Sequence, residues 1–101
     1  MARFLIEIPH SENTYECMQI IQVFLTSGSH LLTNAEWGCM DGVHCAWLTV
    51  DVDSKEDALA IVPPALRRSA KVVALNQFSL DFINEGLERI RAEHSEQSPV
   101  P

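Results

Sequence analysis

Residues 37–47, WGCMDGVHCAW, hold two cysteines, a histidine and a methionine between two tryptophans, around an Asp41-Gly42 pair. His10 and Cys17 lie upstream, and with Cys39 and His44 they supply two imidazoles and two thiols. By ligand type this set suits tetrahedral zinc, or a softer or redox-active metal such as copper or iron. An imidazole beside a thiol also describes an activated cysteine, because the thiolate is the reactive form. The plainer reading of the same residues is core, since cysteine is among the most often buried types. No CxxC or HExxH spacing selects among these readings, so the choice rests on whether the fold brings four positions together.

The elements that must position them can be read from periodicity. Residues 3–8, RFLIEI, alternate so that Phe4, Ile6 and Ile8 share one face of a strand, and Pro9 ends it. If Pro9 keeps the alternation, His10 turns to that same face. Ser11 is read as the N-cap of a helix over about 12–27 with Gly28 as its stop. At helical spacing Cys17, Met18, Ile20, Ile21, Phe24 and Leu25 fall on one arc, opposite Glu12, Glu16, Gln19, Gln22 and Thr26. Two strand-like runs follow, HLLTNAEWGCM and VHCAWLTVDV, joined at Asp41-Gly42, which predicts a hairpin with a two-residue type I′ turn. Ser54 to Asp57 resembles a capping box that opens a short helix interrupted by Pro63-Pro64. Residues 71–78, KVVALNQF, read as a fourth strand, and Ser79 caps a last helix with Ile83, Leu87 and Ile90 on one side.

The order β-α-β-β-α-β with an additional C-terminal helix predicts an α+β fold. It is the ferredoxin-like, split-βαβ arrangement, an antiparallel sheet covered by two helices on one face. Residues 1–94 are read as a single domain and 95–101 as a polar, mobile tail.

A turn centred on Asp41-Gly42 pairs 39 with 44 and 37 with 46, and paired residues share a face. Leu31, Thr33, Ala35, Trp37 and Cys39 then lie with His44, Ala46, Leu48, Val50 and Val52 toward the helices. His10, Cys39 and His44 meet at one end of the sheet, where the first helix begins and aims Cys17 at them. A register shifted by one residue would dissolve this convergence. In a catalytic version, His10 or His44 is the general base and Cys39 a ligand or nucleophile. The PPALRR segment returns to the same end, so Arg67 and Arg68 can anchor a carboxylate or phosphate, or simply complement a helix terminus, and Trp37 can line the pocket. Trp47, Cys45, Met40, Val43 and Leu5 fall on the other face, which is apolar enough to call for a cover. The C-terminal helix or a partner's sheet would supply it, and a homodimer is the preferred reading.

Composition narrows the class. The chain has 101 residues, 47% hydrophobic and 21% charged, within the range of one globular domain. A formal charge of −7, with only 7 Lys and Arg, argues against a nucleic-acid backbone or an anionic membrane as partner. No apolar run nears the roughly 20 residues of a membrane span. Three cysteines without CxxC, and an N-terminus lacking a long apolar stretch with a cleavage site, predict a reducing cytoplasm.

Over residues 2 to about 78 the layout resembles the dimeric α+β barrel superfamily. RFLIEI, the EWGCMDGVHCAW hairpin and VDVDSKEDALAIVPP stand where those proteins have the first strand, the hairpin and the second helix. Size and element order are similar to muconolactone-isomerase-like, YciI-like and cofactor-free antibiotic-biosynthesis-monooxygenase-like members. The resemblance implies sheets packed face to face in a dimer and a small organic molecule between sheet and helices. It carries no catalytic motif that maps residue by residue. The expectation is a small homodimer whose His10, Cys17, Cys39 and His44 bind a transition metal or a small anionic ligand. Its activity would be isomerisation or oxygenation of small organic acids, and the alternative is a non-enzymatic module with a structural cluster.

Overall fold

A computed structural model describes residues 1–97. The elements are β1 (Ala2–Pro9), α1 (Thr14–Thr26), α2 (His30–Thr33), β2 (Glu36–Trp37), β3 (Cys45–Val52), α3 (Lys55–Ile61), β4 (Lys71–Leu75) and α4 (Leu80–Gln97), with 3₁₀ turns at Cys39–Asp41 and Pro64–Leu66. All strands pair antiparallel in one sheet ordered β2-β3-β1-β4.

The alternation of β1 decides which side is core. Phe4, Ile6 and Ile8 are buried, and their register partners Val50, Leu48 and Ala46 on β3 are buried with them. Phe24 of α1, Leu32 of α2, Ala58 of α3 and Val62 close over that face. The opposite face carries Leu5, half-buried Trp47, whose indole N–H donates to Glu7 Oε1 at 3.2 Å, and Val73.

Local chemistry fixes most boundaries. Asn13, rather than Ser11, caps α1: its side-chain oxygen accepts the Glu16 N–H, while Ser11 Oγ accepts the Asn13 N–H and shapes the approach. Gly28 follows the helix at φ +82°, a left-handed position where glycine carries no Cβ penalty. Ser54 Oγ accepts the Asp57 N–H at the start of α3, as the capping pattern requires. After Val62 turns extended, the proline pair restarts the chain as a 3₁₀ turn. Ser79 Oγ accepts the Phe82 N–H ahead of α4.

Several expectations are corrected. The run HLLT is a short helix and not a strand, because Ser29 Oγ accepts the Leu32 N–H and starts a helical turn. The first strand of the expected hairpin therefore shrinks to Glu36–Trp37. Its register is as expected, with Glu36 opposite Trp47 and Trp37 opposite Ala46. The type I′ turn is absent: Gly42 alone has positive φ, at +80°, and Cys39–Asp41 form a 3₁₀ turn before it. Only the residue without a Cβ takes the left-handed conformation, so the wider loop avoids the cost of placing Asp41 there. Met18 and Leu25 are 63% and 56% exposed, so the buried stripe of α1 is narrower than the arc of its apolar residues. The fourth strand ends at Leu75, three residues early.

The last helix departs most. It runs through residues 95–97, which were expected to belong to the tail, and 98–101 lie outside the described residues. Leu80, Ile83, Leu87 and Ile90 are all exposed, so its apolar side is not spent on this chain's core. An 18-residue helix spans about 27 Å. Its projection accounts for a molecule 63 Å long but only 30 by 22 Å across.

Candidate metal centre

Four segments deliver one side chain each to the end of the sheet where β1 stops and β3 starts. His10 is the first residue past β1, and its N–H donates to His44 O at 3.0 Å, extending the β1–β3 ladder by one rung. The main chains of both histidines are therefore fixed by strand pairing, and their rings stand edge to face with centroids 5.7 Å apart. Cys17 sits at the start of the second turn of α1, where its N–H makes the first intrahelical bond to Asn13 O. Cys39 comes from the 3₁₀ turn.

That loop is pinned where it leaves the sheet. Gly38 N–H donates to Cys45 O at 3.1 Å, and Gly38 O accepts from both Asp41 and Val43. A Cβ at Gly38 would meet the Trp47 ring and Val43 O at 2.8 Å, so the close crossing requires glycine. Sequence reasoning passed over Gly38, although an isolated glycine within a strand pattern is a signal of close backbone approach.

The donor atoms converge. One ligand atom each from His10, Cys17, Cys39 and His44 lies within 4.8 Å of all the others. His10 Nε2 is 3.2 Å from Cys17 Sγ and 3.2 Å from Cys39 Sγ, and the two sulfurs are 3.4 Å apart. Bond lengths of 2.3 Å to sulfur and 2.0–2.1 Å to nitrogen put the edges of a zinc tetrahedron at roughly 3.3–3.8 Å. The distances among His10, Cys17 and Cys39 are at or slightly below that size, so a metal would need to push three donors apart by only a few tenths of an ångström.

The surroundings favour ligation. His10 Nδ1 faces Ile8 O at 3.4 Å, which leaves Nε2 toward the sulfurs, the usual way an outer contact orients a ligand imidazole. His44 Nδ1 is buried without a hydrogen-bond partner among the described residues, a costly state for a ring nitrogen that coordination through that atom would relieve. Burial, followed by the neighbouring Cys17 thiol, pushes the Cys39 thiol above its ordinary value. That is the opposite of the depressed value that marks an activated nucleophile. Trp37 lines the site, meeting His10 edge to face at 5.6 Å and Phe24 at 4.9 Å, and so couples the cluster to the core.

The remaining sequence candidates stand apart. Arg67 donates from Nε to Val62 O at 2.9 Å and from Nη2 to Ala60 O at 3.0 Å, which ties it to the C-terminal end of α3. Arg68 is exposed, and among the described residues neither arginine hydrogen-bonds to the cluster. Cys45 is not among the four converging residues; its thiol is directed to Ala46 O at 3.6 Å and pushed up by burial. No helix among the described residues is long and apolar enough to cross a membrane. Comparison of the chain with family models, with curated proteins and with solved structures finds no match in any of the three.

Proposed function

We propose that the protein is a metal-binding module in which His10, Cys17, Cys39 and His44 share one transition-metal ion. One observation carries this reading: four soft or borderline donors, from four separate segments, lie within 4.8 Å of one another. Two thiolates and two imidazoles in a tetrahedron are the preference of zinc, ahead of copper or mononuclear iron. The formal charge of −7 favours a cation at long range. Four protein donors leave no coordination position for a substrate, which supports a structural or metal-holding role over isomerase or oxygenase chemistry. If an anionic ligand binds as well, Arg68 is the freer of the two arginines to meet it.

The scaffold is read as a ferredoxin-like domain, supported by the β2-β3-β1-β4 order with helices on one face. The exposed stripe Leu80, Ile83, Leu87 and Ile90 and the open sheet face support a homodimer. The two ligand thiols must stay reduced to hold an ion, which fits a cytoplasmic setting.

Elemental analysis tests the reading on protein purified without a histidine tag or chelator and then supplied with zinc. The wild type should retain close to one metal ion per chain, and a Cys39→Ser, His44→Gln variant should retain almost none. Binding displaces thiol protons and competes with imidazolium, so uptake should weaken as pH falls. A wild type that takes up no zinc at neutral pH, or a variant that takes up as much as the wild type, would remove the proposal.

A further inference from the structure

Within this ligand set Cys17 and Cys39 are already neighbours, with free sulfurs 3.4 Å apart. A disulfide needs about 2.05 Å, so the sulfurs must close by only about 1.4 Å. The movement has an obvious source. Cys17 is held in a helix, whereas Cys39 lies on a turn whose other residues, Met40, Asp41 and Gly42, are exposed. Cys39 is also the more exposed residue of the two, half-buried where Cys17 is only 5% exposed. His10 Nε2, 3.2 Å from each, is placed to pass a proton between them.

Resting on the metal-binding reading, we infer that Cys17 and Cys39 form a reversible dithiol–disulfide pair, oxidised by hydroperoxides, whose closure releases the metal. The chemistry balances in two steps. The Cys39 sulfur, its proton taken by His10 Nε2 at 3.2 Å or already displaced by the metal, attacks the terminal peroxide oxygen. The O–O bond breaks, the leaving oxygen takes up a proton and departs as alcohol or water, and Cys39 becomes a sulfenic acid. The Cys17 sulfur then attacks the Cys39 sulfur. The S–S bond forms, the S–O bond breaks, and the departing hydroxide takes the Cys17 proton through His10 to leave as water. Two thiols thus lose two electrons and two protons, and the hydroperoxide becomes alcohol plus water. From the metal-bound form, solvent supplies the two protons. Disulfide sulfur is no longer thiolate, so the set drops to two imidazoles and the ion dissociates. Cys45 takes no part, because it is outside the converging group and its thiol lies on a backbone carbonyl.

The test treats the full chain with hydrogen peroxide in zinc-loaded and metal-free arms, with peptide mapping by mass spectrometry and a colorimetric zinc indicator. The expected result is a Cys17–Cys39 crosslink in both arms, loss of two hydrogens, and zinc released in step with the crosslink. Dithiothreitol should restore zinc uptake in full. A Cys45→Ala variant should behave as the wild type, and Cys17→Ser should stop at a Cys39 sulfenic acid trapped by dimedone. Absence of the crosslink, direct over-oxidation of Cys39, or zinc retained after the crosslink has formed would each overturn the inference. Failure of the metal-binding reading is separable. In that case reduced protein takes up no zinc, while the metal-free arm still reports whether the crosslink forms.

Discussion

Stripping the metal with a strong chelator should lower the melting temperature of the wild-type protein by tens of degrees, and should leave a Cys39→Ser, His44→Gln variant almost unmoved. The four candidate ligands come from the end of β1, the start of α1, the loop after β2 and the approach to β3, so one ion would tie α1 and the loop to the paired strand ends. An ion that binds the folded state alone adds about 4 kcal/mol when its free concentration is a thousand times Kd. For a domain of this size each kcal/mol is worth roughly 4–8 °C, giving a shift of about 15–30 °C. Splitting the roughly 10–16 kcal/mol typical of structural zinc evenly over four ligands, loss of one should weaken binding by about a hundredfold to a thousandfold. Scanning calorimetry with and without chelator makes the comparison, and equal melting temperatures for the wild type in the two conditions would count against a shared ion.

Phe24→Ala should cost about 3–5 kcal/mol in chemical denaturation, while Leu25→Ala and Met18→Ala should stay within about 0.5 kcal/mol of wild type. Phe24 is fully buried, whereas Leu25 and Met18 are largely exposed, though all three lie on the apolar arc of α1. The Phe24 effect should reach the candidate metal site as well. Its ring meets Trp37 edge to face, and Trp37 in turn meets His10, so removing the ring takes away the support that holds the His10 imidazole in place. Zinc affinity should therefore fall in Phe24→Ala and not in Leu25→Ala. Similar destabilisation by the two substitutions would mean that the packing of α1 on the sheet differs from that described.

The convergence of the four ligands was legible in the sequence chiefly through parity. Alternation along RFLIEI puts His10 on the side of Phe4, Ile6 and Ile8, and the pairing of Trp37 with Ala46 carries the loop ends to the same place. Helical spacing aimed Cys17 correctly because it shares a stripe with Ile20 and Phe24. The details of the loop were not legible in this way. Cys39 and His44 are not paired strand residues, and they meet because the Gly38–Cys45 and His10–His44 backbone bonds hold both ends of a longer loop. HLLT misled because four residues with two leucines satisfy either period, and the cap at Ser29 decides for the helix. The orientation of α4 was illegible for another reason. Amphipathic spacing says which side of a helix is apolar but not what it packs against, and here Leu80, Ile83, Leu87 and Ile90 stay exposed. Arg67 was likewise illegible in its role, since its donors are turned to the carbonyls of Ala60 and Val62 at the end of α3.

The most direct test of a single shared ion is X-ray absorption at the zinc edge on the zinc-loaded protein. Sharing of the ion by Cys17, Cys39, His10 and His44 predicts two sulfur scatterers near 2.3 Å and two imidazole nitrogens near 2.0–2.1 Å, with one sulfur lost in Cys39→Ser. A shell of nitrogen and oxygen alone, or one unchanged by removal of Cys39, would contradict it.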